Sequence, residues 1–462
     1  MSKFPFPLRL FRGLVAPACL ASLALAARGQ VTLIDRGQAH AVVVLPDTPQ
    51  AEEEKAATEL VEHLYRMTGI RLPLATPPEV PGGSIPIYLG LAGAEELDAV
   101  SREAGDNVST FTLRVTDRRI DVRGLGAEGT LFGVYELLEQ LGFRWYIPGD
   151  LGLVVPEGNR VRLVLQNTIQ APSMDYRVLQ SMAPLPWYQR QRLGGNPRST
   201  GAHGLPGLPA AGSAGRELFA QHPELFSLID GERRPRQHCL SNPGALQRVT
   251  DALRDILKEN PDQKYIGMGP RDGRGFCECD GCRALDGGVI DPFYGQESMT
   301  DRYVYFFNRV LENLEADYPG LHLVWYVYGL HMMPPAAVQP NPRIVGVFAP
   351  ISMDRIRGMT NPMSPDRHTF RWLIDTWAAS RPNELYYRGY YNNLACPQFP
   401  KTQLDRVRNE IPYLYRQGLN VMRVEVIRQS WASDPLTLYV ASRLMWNADT
   451  DVDALLEDFY AR

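Results

Sequence analysis

Beyond Val31 the chain sets short, uninterrupted apolar runs against longer stretches in which apolar residues recur every three or four positions. Ala41-Val42-Val43-Val44-Leu45 reads as a buried strand. From Ala51 to Met67, residues Ala57, Leu60, Val61 and Leu64 fall on one helical face, and Gly69 supplies a stop. Further strands follow at Ile85–Leu89, Phe111–Val115 and Ile120–Arg123. A second helix, from about Ala127 to Leu141, carries Leu131, Val134, Tyr135, Leu138 and Leu141 on one side. Residues 31–165 therefore read as a compact α/β domain, and a Pro-bearing connector, Gln166 to Pro172, leads out of it.

After Asp175 the pattern becomes a regular alternation of strand and helix. Strands are expected at Tyr176–Leu179, Tyr265–Gly269, Leu321–Tyr328, Arg343–Phe348, Leu385–Tyr391 and Val421–Ile427, with another near Ser199–Leu205. Amphipathic helices near 244–259, 301–317, 367–379, 402–417 and 435–447 separate them. Such β/α alternation over residues 175–462 suits a (β/α)8-type TIM barrel with a Cys-rich insertion. A last helix carries Leu455, Leu456, Phe459 and Tyr460 and runs to Arg462 without a stop signal, so the barrel is expected to be irregular or cut short at its C-terminal end.

Composition narrows the class. Lys plus Arg number 48 against 52 Asp plus Glu, a net charge of −4, which lacks the basic excess that binding a phosphate backbone requires. Nucleic acid is excluded as the main partner. At the N-terminus Lys3, Arg9 and Arg12 precede an uncharged apolar run, Gly13 to Ala26, that ends in Ala24-Leu25-Ala26. This reads as a signal peptide over residues 1–26, and cleavage there moves the net charge from −4 to −7. The run is too short to span a bilayer and no later stretch is long enough, so a soluble secreted or periplasmic chain is expected. Cys19 lies within the segment, which leaves a lipid anchor as the lesser alternative.

Two passages carry a resemblance. Gly126-Ala127-Glu128-Gly129-Thr130-Leu131-Phe132-Gly133-Val134-Tyr135-Glu136-Leu137-Leu138-Glu139, followed by Gly142-Phe143-Arg144-Trp145-Tyr146-Ile147-Pro148, resembles the α/β domain preceding the barrel in α-glucuronidases and hexosaminidase-like glycosidases. His222-Pro223-Glu224-Leu225-Phe226, Asp230-Gly231, Cys239 and Gly269-Pro270-Arg271-Asp272-Gly273 through Cys282 resemble a bacterial family of unsettled activity, domain of unknown function 4838. The resemblance implies a glycoside-hydrolase-type architecture and brings no particular reaction with it. The first passage also contains Gly124-Leu125-Gly126-Ala127-Glu128-Gly129, a G-x-G-x-x-G match with Asp150 downstream. Glu128 would set a carboxylate where pyrophosphate needs positive potential, and Asp150 follows Pro148-Gly149 instead of ending a strand. These glycines are read as a tight turn packing helix on sheet.

Of six cysteines, Cys277-Glu278-Cys279-Asp280-Gly281-Cys282 forms C-x-C-x-x-C, whose short loop lets three sulfurs converge. Cys239 can supply a fourth, which makes a closed structural zinc site the favoured expectation. Disulfides, with Cys239 bridging one of the three, are the alternative for an exported chain. The arrangement also resembles the zinc cluster beside the barrel of some β-galactosidases. Cys396 is expected as a buried thiol, and no catalytic cofactor is called for.

Barrel enzymes place chemistry at the C-terminal ends of strands. Asp272 directly follows the Tyr265–Gly269 strand and Glu425 lies late in the Val421–Ile427 strand, which makes them the candidate pair of carboxyl groups that glycosidic cleavage needs. The structural alternatives are a turn carboxylate paired with Arg271 for Asp272, and an ion pair with Arg423 or Arg428 for Glu425. Asp354 is held in reserve, with a loop role as its plainer reading. The resembled glycosidases often carry an acid at the fourth strand end, yet Leu323-Val324-Trp325-Tyr326-Val327-Tyr328-Gly329-Leu330-His331 ends in none. For sugar contacts the candidates are His203, Trp325, Tyr326, Arg388, Tyr391 and Asn392, with Tyr328 and Tyr390 also near strand ends. About half of the strand rings should face the core instead. Arg388 is suited to clamp a uronate carboxylate, a role suggested by the α-glucuronidase-like domain. The leading expectation is an exported glycoside hydrolase acting on plant or algal polysaccharide or oligosaccharide, uronate-containing glycans among them. A non-catalytic carbohydrate-binding protein on the same scaffold is the alternative, and a dinucleotide-dependent oxidoreductase ranks last; the oligomeric state is left open.

Overall fold

The structure, a computed structural model, describes residues 29–90, 94–180, 186–199, 201–380, 384–391, 402–426 and 432–462. They divide into two compact units. The first comprises the described residues through Glu103 with Phe111–Phe143 and Val155–Gln170; the second comprises Ala104–Thr110, Arg144–Val154 and Ala171–Arg462.

The first unit is built on a six-stranded sheet in the order Gln166–Gln170, Phe111–Val115, Ile120–Gly124, Ile85–Leu89, Ala41–Val44, Leu74–Ala75. The long helix Ala51–Thr68 begins with a capping box between Gln50 and Glu53 and ends where Gly69 turns left-handed at φ 76°, its N–H donating to the Tyr65 carbonyl. The helix Ala127–Gln140 buries nearly its whole first three turns. A Cβ on Gly124 would lie 2.2 Å from the Gly126 carbonyl oxygen and 2.4 Å from the Thr130 nitrogen. The Gly124 N–H also donates to the Thr130 hydroxyl at 3.0 Å. The glycine-rich match is therefore a turn pressed against its own helix. The expected connector is a strand instead: Gln166–Gln170 pairs antiparallel with Phe111–Val115, because the exposed edge of Phe111–Val115 supplies ladder partners that a local sequence pattern does not reveal.

In the second unit six strands run parallel: β1 (Tyr176–Gln180), β2 (Tyr265–Gly267), β3 (His322–Val327), β4 (Ile344–Phe348), β5 (Leu385–Tyr390) and β6 (Leu419–Glu425). Their order in the sheet is β2-β3-β4-β5-β6-β1, with Gly194–Gly195 added antiparallel outside β1. Helices α1 (Pro243–Glu259), α2 (Thr300–Leu314), α3 (Pro365–Ser380), α4 (Leu404–Arg416) and α5 (Pro435–Trp446) follow in chain order, and α6 (Val452–Ala461) comes last. Strands covered on both faces read as continuous apolar runs, and every residue of β4 is buried.

The sheet is a curled half-barrel, and the full ring of eight is not seen among the described residues. Ser199–Leu205 contributes a parallel bridge from Ala202 to Trp325 and an antiparallel one from Gly204 to Gly269 in place of a strand. Gly201, Gly204 and Gly207 all sit at positive φ (88°, 95° and 73°), a conformation incompatible with an extended ladder.

Candidate active site

Successive residues of a strand face opposite sides, and this parity sorts the aromatic candidates. Inside the curl lie Val324 and Tyr326 of β3, Val345 and Val347 of β4, Tyr386 and Tyr390 of β5, and Val421 of β6, with Tyr328 and Ile351 packed against them. Trp325 faces the other way. It is fully buried among Tyr303, Phe307, His331 and Trp377, with ring centroids 5.4 to 6.4 Å away. As a sugar contact it is corrected to outer-core packing. Tyr391 is corrected likewise: it is 1% exposed, and the Arg406 guanidinium lies 4.9 Å from its ring. Its neighbour Tyr390, one position away and of opposite parity, faces the cavity instead. Asn392 and Cys396 lie outside the described residues.

His203, Asp272, Tyr326, Tyr328, Ala349, Ile351, Arg388, Tyr390 and Glu425 line one cavity of about 170 Å³ at the C-terminal ends of β2 to β6. Two larger or similar hollows share its walls. His203 and Asp272 also border a cavity of about 580 Å³ lined by the Leu205–Ala211 loop. Tyr328, Ala349 and Ile351 also border one of about 160 Å³ toward Phe293 and Met353.

Asp272 is exposed and sits in a pinned loop. The Met268 N–H donates to the Val324 carbonyl at 2.9 Å, and Gly269 and Gly204 exchange backbone hydrogen bonds at 2.9 and 3.0 Å. The Arg271 guanidinium donates to the carbonyls of Ala210, Pro235 and Arg236, so it anchors the loop backbone and is not paired with Asp272. The carboxylate accepts instead from the Tyr328 hydroxyl at 2.6 Å. Burial, and then the adjacent Asp272, push the Tyr328 phenol well above its ordinary pKa, so it remains a donor.

Glu425 ends β6, and its partner is Arg388 of β5. The guanidinium donates through Nε at 3.1 Å and through Nη2 to the same Oε2, and through Nη1 to the Tyr326 hydroxyl at 2.7 Å. These contacts tie Arg388 to Glu425 and Tyr326 on the cavity wall. Against the cost of burial, Tyr390 and Glu425 hold Arg388 above its usual pKa. Tyr390 is itself pushed up to about 12 by burial, with Arg388 opposing the rise. His203 closes the wall, its ring 4.9 Å from Tyr326 and its Nδ1 3.3 Å from the Pro270 carbonyl oxygen. Asp354 takes no part. It caps a turn, accepting from the Ile356 and Arg357 N–H groups and from the Arg357 guanidinium.

Tyr328 and Tyr390 are the cavity members with polar side chains that are missing from the primary candidates. Their signal was parity, since each stands two residues from an inward-facing candidate, Tyr326 and Arg388.

Cys239, Cys277, Cys279 and Cys282 converge outside this cavity, their sulfurs all within 4.8 Å of one another and all as free thiols.

The second unit thus presents a curled parallel half-barrel with two carboxylates in one aromatic-walled hollow at its strand ends. The chain belongs to the family described as domain of unknown function (DUF4838), whose model matches residues 147–462. No curated protein matches the sequence. Among solved structures it is similar to the family GH115 4-O-methyl-α-glucuronidase BtGH115A, which has specificity for decorated arabinogalactans. That match has a TM-score of 0.51 at 14% identity, covering 93% of this chain and 60% of the other. It is also similar to a β-N-acetylhexosaminidase from Bacteroides fragilis (TM-score 0.48, 12% identity, 94% and 93% covered). A GH20 β-N-acetylhexosaminidase from Streptomyces coelicolor gives a TM-score of 0.47 at 15% identity, with 93% and 92% covered. The likeness to the glucuronidase is one of fold, and this chain spans 60% of that protein's length. No helix among the described residues is long and apolar enough to cross a membrane.

Proposed function

We propose that the protein is an exported glycoside hydrolase acting on plant or algal polysaccharide fragments, with Asp272 and Glu425 as its two working carboxyl groups. The observation that carries this reading is that both acids line the same cavity of about 170 Å³, with three tyrosines to contact a sugar ring. The half-barrel is read as a (β/α)8-type barrel opened between β1 and β2, and the charged-then-apolar leader ending at Ala26 supports export.

The environments of the two acids divide the labour. Arg388 donates two N–H groups to one oxygen of Glu425 and so fixes the carboxylate's orientation at the end of β6. Glu425 therefore serves as nucleophile or water-activating base, opposite the positive charge that develops on the sugar. Asp272, held by the Tyr328 hydroxyl and exposed toward the larger hollow, is assigned the complementary role at the departing glycosidic oxygen. The Arg388 guanidinium on the cavity wall gives a uronate carboxylate a cationic partner, consistent with the glucuronidase-like fold.

Turnover on a panel of aryl glycosides and oligosaccharides, glucuronides and N-acetylhexosaminides included, tests the reading. Asp272→Asn and Glu425→Gln are each expected to lower kcat by about 10²–10⁴-fold while ligand binding by calorimetry persists. A second reading, a carbohydrate-binding protein without turnover, is favoured by the Arg388–Glu425 ion pair, which occupies one of the two acids. Wild-type protein that binds these glycans and never releases product would establish it and end the hydrolase reading.

A further inference from the structure

We propose that Cys239, Cys277, Cys279 and Cys282 bind one zinc ion, and that this centre clamps the loop carrying Asp272. The clamp stands apart from the glycosidase reading and is tested without substrate.

The thiols come from three places. Cys239 directly follows the strand Glu232–His238, Cys277 and Cys279 lie on the loop after β2, and Cys282 lies on the short helix Asp280–Arg283. Cys239 Sγ stands 3.6 Å from Cys279 Sγ and 3.8 Å from Cys282 Sγ. A disulfide requires about 2.05 Å. Four sulfurs each about 2.3 Å from a central tetrahedral zinc are separated by about 3.8 Å; the two distances from Cys239 match this, and all four sulfurs lie within 4.8 Å of one another. The set is complete with four, so no position remains for water, and the role is structural. A zinc tetrathiolate carries two net negative charges, and the surroundings answer them. The Leu228 N–H donates to Cys277 Sγ at 3.3 Å, and Arg233 Nη1 lies 3.9 Å from the same sulfur. Arg302, buried against Asp286, donates to the Cys277 carbonyl at 2.8 Å.

The link to Asp272 runs through Gln237, two residues before Cys239 and 1% exposed. Its side chain donates to the Arg271 carbonyl at 2.7 Å and accepts from the Arg271 N–H at 2.9 Å. Both backbone groups of the residue preceding Asp272 are thus held by the segment that supplies the first thiolate.

Elemental analysis of the full chain, purified without chelators, is expected to give one zinc per chain. Replacement by Co(II) should produce the intense visible bands of tetrahedral thiolate coordination. Cys279→Ser should lose the metal, and the wild-type cobalt spectrum stands as evidence even where that variant does not fold. Metal-free protein with fewer free thiols until reduced would overturn the proposal in favour of disulfides, and a different ion at one per chain would overturn the zinc assignment. Gln237→Ala is expected to keep its zinc while hydrogen exchange of the Arg271 amide quickens about fivefold, the equivalent of one net hydrogen bond. Unchanged exchange there would overturn the clamp.

Discussion

Glu410 of α4 is the charged centre of the scaffold behind β5. It is wholly buried with Arg367 and Arg406. Both of its oxygens accept from Arg406 Nε at 3.0 Å, and Oε2 also accepts from the Tyr387 hydroxyl at 2.8 Å. Arg367 Nη1 lies 2.9 Å from Oε1, as an ion pair outside hydrogen-bond alignment. Arg406 in turn donates to the Tyr390 carbonyl at 2.9 Å, which fixes the end of the strand that carries Arg388 and Tyr390. Glu410→Gln keeps the shape, removes the carboxylate paired with two buried guanidiniums, and turns an NH₂ toward their donors. Breaking a buried pair costs about 3–5 kcal/mol, and two stranded cations put this variant at the upper end, near 4–5 kcal/mol. In a unit of this size that corresponds to a fall in Tm of roughly 7 °C. Tryptophan fluorescence is the right probe, because Trp145, Trp187, Trp325, Trp372, Trp377 and Trp446 all belong to the second unit and the described residues of the first unit hold no tryptophan. Adding Arg367→Met to Glu410→Gln removes one uncompensated charge and should recover at least ~1 kcal/mol. A loss below about 1 kcal/mol for the single variant, or no recovery in the double, would refute the reasoning.

Stability should also depend on pH through His331. Burial pushes its imidazole down to about 3, with a hydrogen bond to the Tyr326 backbone and the charge of Asp272 opposing and His203 lowering it further, and among the described residues its Nδ1 has no hydrogen-bond partner. The folded ring stays neutral while the unfolded chain protonates near 6.5. Stability is therefore level above that pH and falls by roughly 1.4 kcal/mol per unit as pH drops from about 6.5 toward 3. Because burial also pushes the His238 imidazole down to about 4, urea midpoints across that range should fall less steeply in His331→Gln without becoming flat, and an identical slope in both proteins would count against the assignment. In the first unit, Gly124→Ala drives a Cβ against backbone that cannot move aside. A loss of about 2–3 kcal/mol is expected in circular dichroism melts; an unchanged melt would mean the turn relaxes.

Local pattern alone located nearly every strand and helix of the half-barrel, because burial on both faces makes parallel strands apolar throughout and amphipathic helices must turn one stripe inward. Gly69 as a helix stop, the Cys-x-Cys-x-x-Cys loop and the two strand-end acids were legible for the same reason: each is a property of a few consecutive residues. Tertiary structure decided what depends on partners distant in the chain. Trp325 and Tyr326 are indistinguishable as neighbours, as are Tyr390 and Tyr391, until the register against β4 and β6 assigns one of each to the hollow. The strand at Gln166–Gln170 exists because Phe111–Val115 leaves an edge to pair with. The union of Arg388 with Glu425 requires β5 beside β6, whose positions in sequence say nothing of their separation in space. Periodicity is written within one or two turns of chain, whereas register, sheet curl and charge pairing are settled by which distant surfaces meet.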